Sequence, residues 1–334
     1  MPVIKKALLA IVLISIGPLA RGEVSEIKIA ETFGVSYLPL MVMERDQLVE
    51  KRAKSAGLGN IKVSWVMVGG PSVMNDGLLT GSLHFAAHGP TSMITLWSKT
   101  KNNIGVKGVA AMTTYPLYLN TRNPNVKSIR DFSEKDKIVV PSIKISNQAI
   151  LLQMAAAKAW GDENYARLDP FTVALSHPDG LLALTNNTGG VNAHFTSSPF
   201  HEKELKIPGV RNLMSSYDIL GGRATAALIS ASSKFREANP KIYRAFFDAL
   251  SEAIDSINKD KRAAAKIYLE QAKDTKSSVQ EIFNVINNPD YAYTLTPEKV
   301  QKNAEFMYRI GTIKVKPASW KEMFFPEVHN LGGD

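Results

Sequence analysis

The chain contains no cysteine. That absence excludes disulfides, thiolate metal ligands and cysteine nucleophiles, and it removes the residue on which a bacterial lipoprotein is lipidated. The glycine-rich run "VGGPSVMNDG" carries no lysine, so it is not a phosphate-binding loop, and no Gly-x-Ser-x-Gly elbow occurs. Blocks of like charge are missing too. Acids and bases interleave in stretches such as "KFREANPK" and "NKDKRAAAK", the pattern of a solvated face rather than a nucleic-acid patch.

One long uncharged apolar run is present, Ala7 to Ala20, preceded by Lys5-Lys6 and followed by Arg21-Gly22-Glu23. It is short of the ~20 residues that span hydrocarbon. It reads as a secretory signal peptide over residues 1–22, with Ala20 and Gly22 as the small residues before a cut ahead of Glu23. Its removal takes Lys5, Lys6 and Arg21 and no acid, so the formal charge of +9 falls by 3 to +6. A field of that size favours small anionic ligands. With 45% hydrophobic and 21% charged residues over 334 positions, the chain is long and apolar enough for two folded cores.

Strand and helix signals alternate along the first half. In "EIKIAETFGVSYLPLMVME", Ile27 and Ile29 alternate with polar neighbours as in a half-buried strand. The pattern then breaks at Phe33 to Tyr37, and a helix opens at Leu38-Pro39. "IKVSWVMV" is a strand that breaks at Gly69-Gly70-Pro71-Ser72 before a helical run; "SLHFAAHGP" is a short strand leading to a helix from Thr91 to Trp97. "GVKGVAAMTTYPLYLNT" is one longer extended stretch, and "DKIVVPSIKISNQAILLQMAAAKAW" is strand, loop and strong helix. This rhythm predicts an α/β fold with mostly parallel sheets covered by helices. Later, "GGVNAHFTSSPF" is a strand ending in a polar loop and "GGRATAALISASS" crosses between domains. Asn239-Pro240 opens a helix as cap and first residue, whose buried face is Ile242, Phe246, Leu250, Ile254 and Ile257.

Three of these stretches carry a resemblance: "IKIAETFGVSYLPLMVM", "VGGPSVMNDGLLTGSLHFAAHGPTSMI" and "VVPSIKISNQAILLQMAAAKAWG". With the signal peptide, they make the chain similar to periplasmic substrate-binding proteins of ABC importers, of the nitrate, taurine, sulfonate and thiamine-precursor type. In that pattern His84 stands where an aspartate is common. The resemblance implies a type II periplasmic binding protein fold: two α/β lobes, mixed sheets flanked by helices, and a ligand cleft between lobes that close by hinge motion. Residues 23–114 with 224–334 would form lobe 1, and 115–223 lobe 2. It also implies a monomer in the periplasm that captures a small organic anion, a sulfonate or carboxylate, and delivers it to permease transmembrane subunits, with no catalysis, cofactor or nucleic acid. The alternatives are a thiamine pyrimidine precursor or other heterocycle as ligand, and a periplasmic solute-sensing role.

Candidate ligand-binding residues follow from the strand-to-helix loops, where backbone N–H groups at helix N-termini attract anions without a bound cation. Gly34, Val35, Ser36, Tyr37 and Leu38 form one wall. Gly70 with Ser72, Thr91, and Ser142 with Ser146 sit at other helix starts, where simple capping competes as an explanation. Tyr37, Tyr115 and Phe195 could sandwich a ligand body, although packing in the core explains aromatics equally well. His88 and His194 lie at strand ends and could donate to a carboxylate or sulfonate. Thr114 and Gly222 flank the expected crossings between lobes. His84 and His88 are four apart but sit on a strand and its turn without a third ligand, so no metal site is expected.

Overall fold

The computed structural model describes residues 22–334; the expected signal segment, up to residue 21, lies outside the described residues. Strands β1 (Glu26–Glu31), β2 (Lys62–Met67), β3 (Phe85–His88) and β4 (Val106–Thr114) come first. β5 (Tyr118–Thr121), β6 (Lys137–Val140), β7 (Thr172–Ala174), β8 (Val191–Thr196) and β9 (Arg211–Ser215) follow, and β10 (Thr225–Ser232) and β11 (Ala292–Tyr293) close the series. They form two sheets, one in the order β11-β4-β10-β3-β1-β2 and the other β7-β6-β8-β5-β9. Helices cover both, giving two α/β lobes. Among the described residues no helix is long and apolar enough to cross a membrane.

Each sheet mixes its pairings. β1 pairs parallel with β2 and β3, and β6 with β7 and β8, while the remaining five pairings are antiparallel. The parallel share is smaller than the strand-then-helix rhythm suggests, because β10 runs back through the first sheet and β5 through the second. The stretch 105–121 also differs from its pattern. It is not one strand: β4 ends at Thr114, Tyr115-Pro116-Leu117 leaves the first sheet, and β5 begins the second. "GGRATAALISASS" holds both the return crossing and a full strand, β10, whose residues are buried up to Ala231.

The long helix Pro240–Lys259 buries the face its spacing marks, with Ile242, Phe246 and Leu250 wholly inaccessible. Each such side chain contributes about 1.5–3 kcal/mol. Asn239 does not cap it through its side chain: its Oδ1 accepts from the Val24 N–H and its amide donates to the Phe235 carbonyl. The first-turn N–H groups of Lys241 and Ile242 instead donate to the Glu23 carboxylate at 2.9 and 2.8 Å. Trp65 is half-buried, packed against the core from β2, which is an edge strand.

Chain order sets the position of the cleft. From β1 the chain goes to β2 on one side and then to β3 on the other; from β6 it goes to β7 on one side and β8 on the other. Ligand crevices open at the carboxyl ends of strands where the order reverses in this way, and here the two reversal points face each other.

Candidate functional site

The segments after β1, β2 and β3 meet those after β6, β7 and β8 around a shared cavity. Thr32, Phe33, Ser36 and Tyr37 follow β1, Pro71 and Met74 follow β2, and His88 and Gly89 end β3. From the other lobe come Pro141, Ser146, Asn147, Gln148, His177 and Ser197, with Tyr115 and Leu117 from the crossing. About 40 Å³ is open to the centre of a water molecule, room for roughly three waters at 10–15 Å³ each. Among the described residues lining it there is no Asp, Glu, Lys or Arg.

The lobes touch around this cavity. The Val35 N–H donates to the Ser198 carbonyl at 3.1 Å, and the Thr91 hydroxyl donates to the Ile145 carbonyl at 3.2 Å. A Cβ on Gly70 would lie 2.5 Å from the Pro141 oxygen, and one on Gly89 2.6 Å from the Asn147 Cβ. Only glycine lets these backbones approach so closely. Gly34 combines a near approach to Ser198 with φ +119°, which disfavours any side chain. Farther out, Lys203 reaches Asp274 at 2.6 Å and Arg309 reaches Asp162 at 2.5 Å.

Five of the residues expected at the site line the cavity: Ser36, Tyr37, His88, Tyr115 and Ser146. Their polar groups are not equally free. The Ser146 hydroxyl caps the helix Asn147–Trp160, accepting from the Ala149 N–H and donating to the Ser142 carbonyl at 2.8 Å. His88 has both ring nitrogens engaged, Nδ1 with Ser92 at 3.0 Å and Nε2 with Ser230 at 2.7 Å. Burial pushes its pKa down to about 3, so the ring is neutral and offers no cation. The Tyr115 hydroxyl lies 2.5 Å from Ser36 Oγ, and burial pushes it up to about 12. Tyr37 is held above the usual tyrosine range, first by burial; its hydroxyl has no hydrogen-bond partner among the described residues.

The other expected residues go elsewhere. Gly34, Val35, Gly70, Thr91 and Ser142 lie where the lobes meet rather than in the cavity wall. Leu38 and Phe195 are fully buried core residues. Ser72 lies in the first turn of Pro71–Thr80, off the cavity. Thr114 is buried in β4, its hydroxyl unpaired among the described residues, and Gly222 sits in the turn before β10 with open space around it. His194 does not face the cleft; it is inaccessible, bonded to Glu204 at 2.6 Å and His177 at 3.0 Å. His84 accepts from the Lys28 N–H and stacks on Phe235, away from His88.

Sequence reasoning missed Asn147, Gln148 and His177. All three are polar, more than nine-tenths buried, and line the cavity. Asn147 Oδ1 has no hydrogen-bond partner among the described residues. The signal was the polar run Ser146-Asn147-Gln148 opening an otherwise apolar helix.

Two lobes joined by crossing segments, each closing a strand-order reversal on a shared cleft, define the periplasmic binding protein fold. No family model matches the chain, and no curated protein matches it. Solved structures do. An alkanesulfonate-binding protein from Xanthomonas axonopodis pv. citri, bound to MOPS, is similar at 15% identity and TM-score 0.69, over 91% of this chain and 99% of that one. The periplasmic nitrate-binding protein of Synechocystis PCC 6803 is similar at 13% identity and TM-score 0.67, over 90% of this chain and 84% of that one. A Candida albicans gene product described as having the generic periplasmic binding protein fold is similar at 14% identity and TM-score 0.66, over 90% of this chain and 96% of that one.

Proposed function

We propose that this chain is the solute-binding component of an ABC importer, capturing a small organic anion, a sulfonate or carboxylate, between its lobes and passing it to a membrane permease. On this reading it acts as an exported periplasmic monomer and catalyses nothing. The observation that carries the proposal is the cavity between the lobes, walled by helix starts from both and by neutral polar side chains. The helices Pro71–Thr80, Pro90–Thr100, Asn147–Trp160 and His177–Asn186 all begin at or beside it, and aligned helix N-termini carry partial positive charge with free N–H donors. The similar sulfonate- and nitrate-binding proteins support the same class of ligand.

Volume supports a compact ion over a ring. A pyrimidine would be held by stacking, and one face of Tyr115 is already taken by Tyr291, with centroids 4.7 Å apart. The test is a thermal-shift panel on residues 23–334 with methanesulfonate, nitrate, acetate and pyrimidines. A ligand at 100 times its Kd adds about 2.7 kcal/mol of stability. Stabilisation by a pyrimidine and by none of the anions would overturn the proposal.

A further inference from the structure

A buried chain of hydrogen bonds leads from the cavity into lobe 2. Gln148 Nε2 lies 3.2 Å from His177 Nε2, His177 Nδ1 lies 3.0 Å from His194 Nε2, and His194 Nδ1 lies 2.6 Å from Glu204 Oε1. The other Glu204 oxygen accepts from the Asn120 amide at 2.9 Å. The rings are held tightly: a Cβ on Gly180 would lie 2.6 Å from His194 Cε1. His194 and Glu204 are wholly inaccessible, while Gln148 and His177 line the cavity.

Donor and acceptor rules allow this chain two proton counts. With Glu204 a carboxylate and both rings neutral, His194 donates from Nδ1 to Glu204 and accepts at Nε2 from His177 Nδ1. His177 then accepts at Nε2 from the Gln148 amide, and the Gln148 carbonyl is left for the cavity. One added proton reverses the outer half. His194 carries both N–H groups, the His177 proton moves to Nε2, and Gln148 must turn its carbonyl inward, presenting its NH₂ to the cavity.

We propose that Gln148 is a specificity-determining residue of the cleft whose polarity is set by the proton count of the His177–His194–Glu204 chain, so that an anion is taken up together with one proton. This rests on the anion reading above. An oxyanion only accepts hydrogen bonds, so it binds the NH₂-out state and repels the carbonyl-out state. Burial, and then His194, hold His177 far below the ordinary histidine range, so it stays neutral in both states and transmits polarity by exchanging tautomers. The added charge rests on His194, against the Glu204 carboxylate.

One further ionisable group joins the chain: His201 Nδ1 donates to the carbonyl of Asn120, whose amide serves Glu204, and the ring stacks on Tyr118 of β5. Burial pushes His201 down to about 4, so it stays neutral and adds no second proton. The other ionisable groups nearby are engaged elsewhere. Glu202 bonds Ser198, Lys203 pairs with Asp274, and Asp179 bonds Ser176 at the helix start. His88, across the cavity, is bonded to Ser92 and Ser230. Lys137 on β6 and Lys158 on the Asn147–Trp160 helix are exposed.

The test is ¹⁵N NMR of histidine-labelled protein, with calorimetry of methanesulfonate, nitrate and acetate binding in buffers of different ionisation enthalpy. At pH 8 without ligand, both rings should carry the proton on Nδ1 with Nε2 bare. A binding anion should take up one proton, its association constant falling about tenfold per pH unit wherever the ligand-free chain lacks that proton, and Gln148→Met should abolish that pH dependence. A proton on Nε2 of either ring in the ligand-free protein at pH 8 overturns the chain's polarity. An anion that binds without proton uptake overturns the coupling and leaves the anion reading standing. Failure of all three anions to bind overturns that reading, and the coupling with it.

Discussion

Tyr115 lies face to face with Tyr291, planes 18° from parallel, at the point where the chain leaves the first sheet. Stacking of this kind is worth about 0.5–1.5 kcal/mol beyond area burial, and here it fixes the crossing segment against lobe 1. Tyr115→Ala is therefore expected to lower the stability of the empty protein by about 3–5 kcal/mol, read from denaturant melts. An unchanged midpoint would return Tyr115 to the role of a ligand-stacking group.

Tyr37 should behave differently. Its hydroxyl has no partner among the described residues while the ring packs in the core. Tyr37→Phe should leave the melting temperature of the empty protein within a degree or two and weaken anion binding about fivefold, the loss of one hydrogen bond of about 1 kcal/mol. Equal affinities by calorimetry would place the hydroxyl outside the ligand's reach.

Gly70→Ala tests closure. Gly70 has an extended backbone, φ −178°, so alanine costs nothing locally, yet its Cβ would meet the Pro141 carbonyl. The variant should melt normally but fail to contract in small-angle scattering at saturating ligand, with affinity down at least tenfold. Normal contraction would show that the lobes meet differently when loaded.

Ser146→Ala removes a cap, at a cost of about 1 kcal/mol of stability. Because the hydroxyl is spent on Ala149 and Ser142, the loss should appear in the melt of the empty protein. A loss confined to ligand affinity would make Ser146 a contact residue instead.

Glu31 gives a pH signature. It is 4% exposed, its Oε2 has no partner among the described residues, and burial, with Glu44 second, pushes its pKa up to about 8. Between the unfolded value near 4.5 and 8 the folded state binds more protons than the unfolded state, so this group lowers stability as pH rises through that window. Glu31→Gln should raise the melting temperature at pH 8.5 and leave it unchanged at pH 4. Equal gains at both would locate the effect in packing rather than charge.

The strand and helix alternation was legible because apolar spacing follows from burial, and burial is what these lobes mostly do. The loops after β1 and β3 were legible for the same reason: a pattern that breaks marks a strand end. Which side chains enter the cavity was not. Ser146 and Gln148 are two apart on one helix and both reach it, whereas Ser72 and Pro71 are adjacent and only Pro71 does. Those directions depend on how one lobe rests on the other, and nothing local in sequence encodes that. His194 was misplaced because a strand residue alternates sides: it points down into the Glu204 pocket while Ser197, just beyond the strand, reaches the cleft.

The uncharged cavity wall carries a last consequence. On the proposed function, no fixed counter-charge waits to hold the ion once the halves separate. Each half alone is a shallow ring of helix ends, a weak monodentate ligand; together they chelate. Prising them apart is then itself the unloading step, and a docking permease needs only to apply leverage, with no chemical signal sent to the cargo.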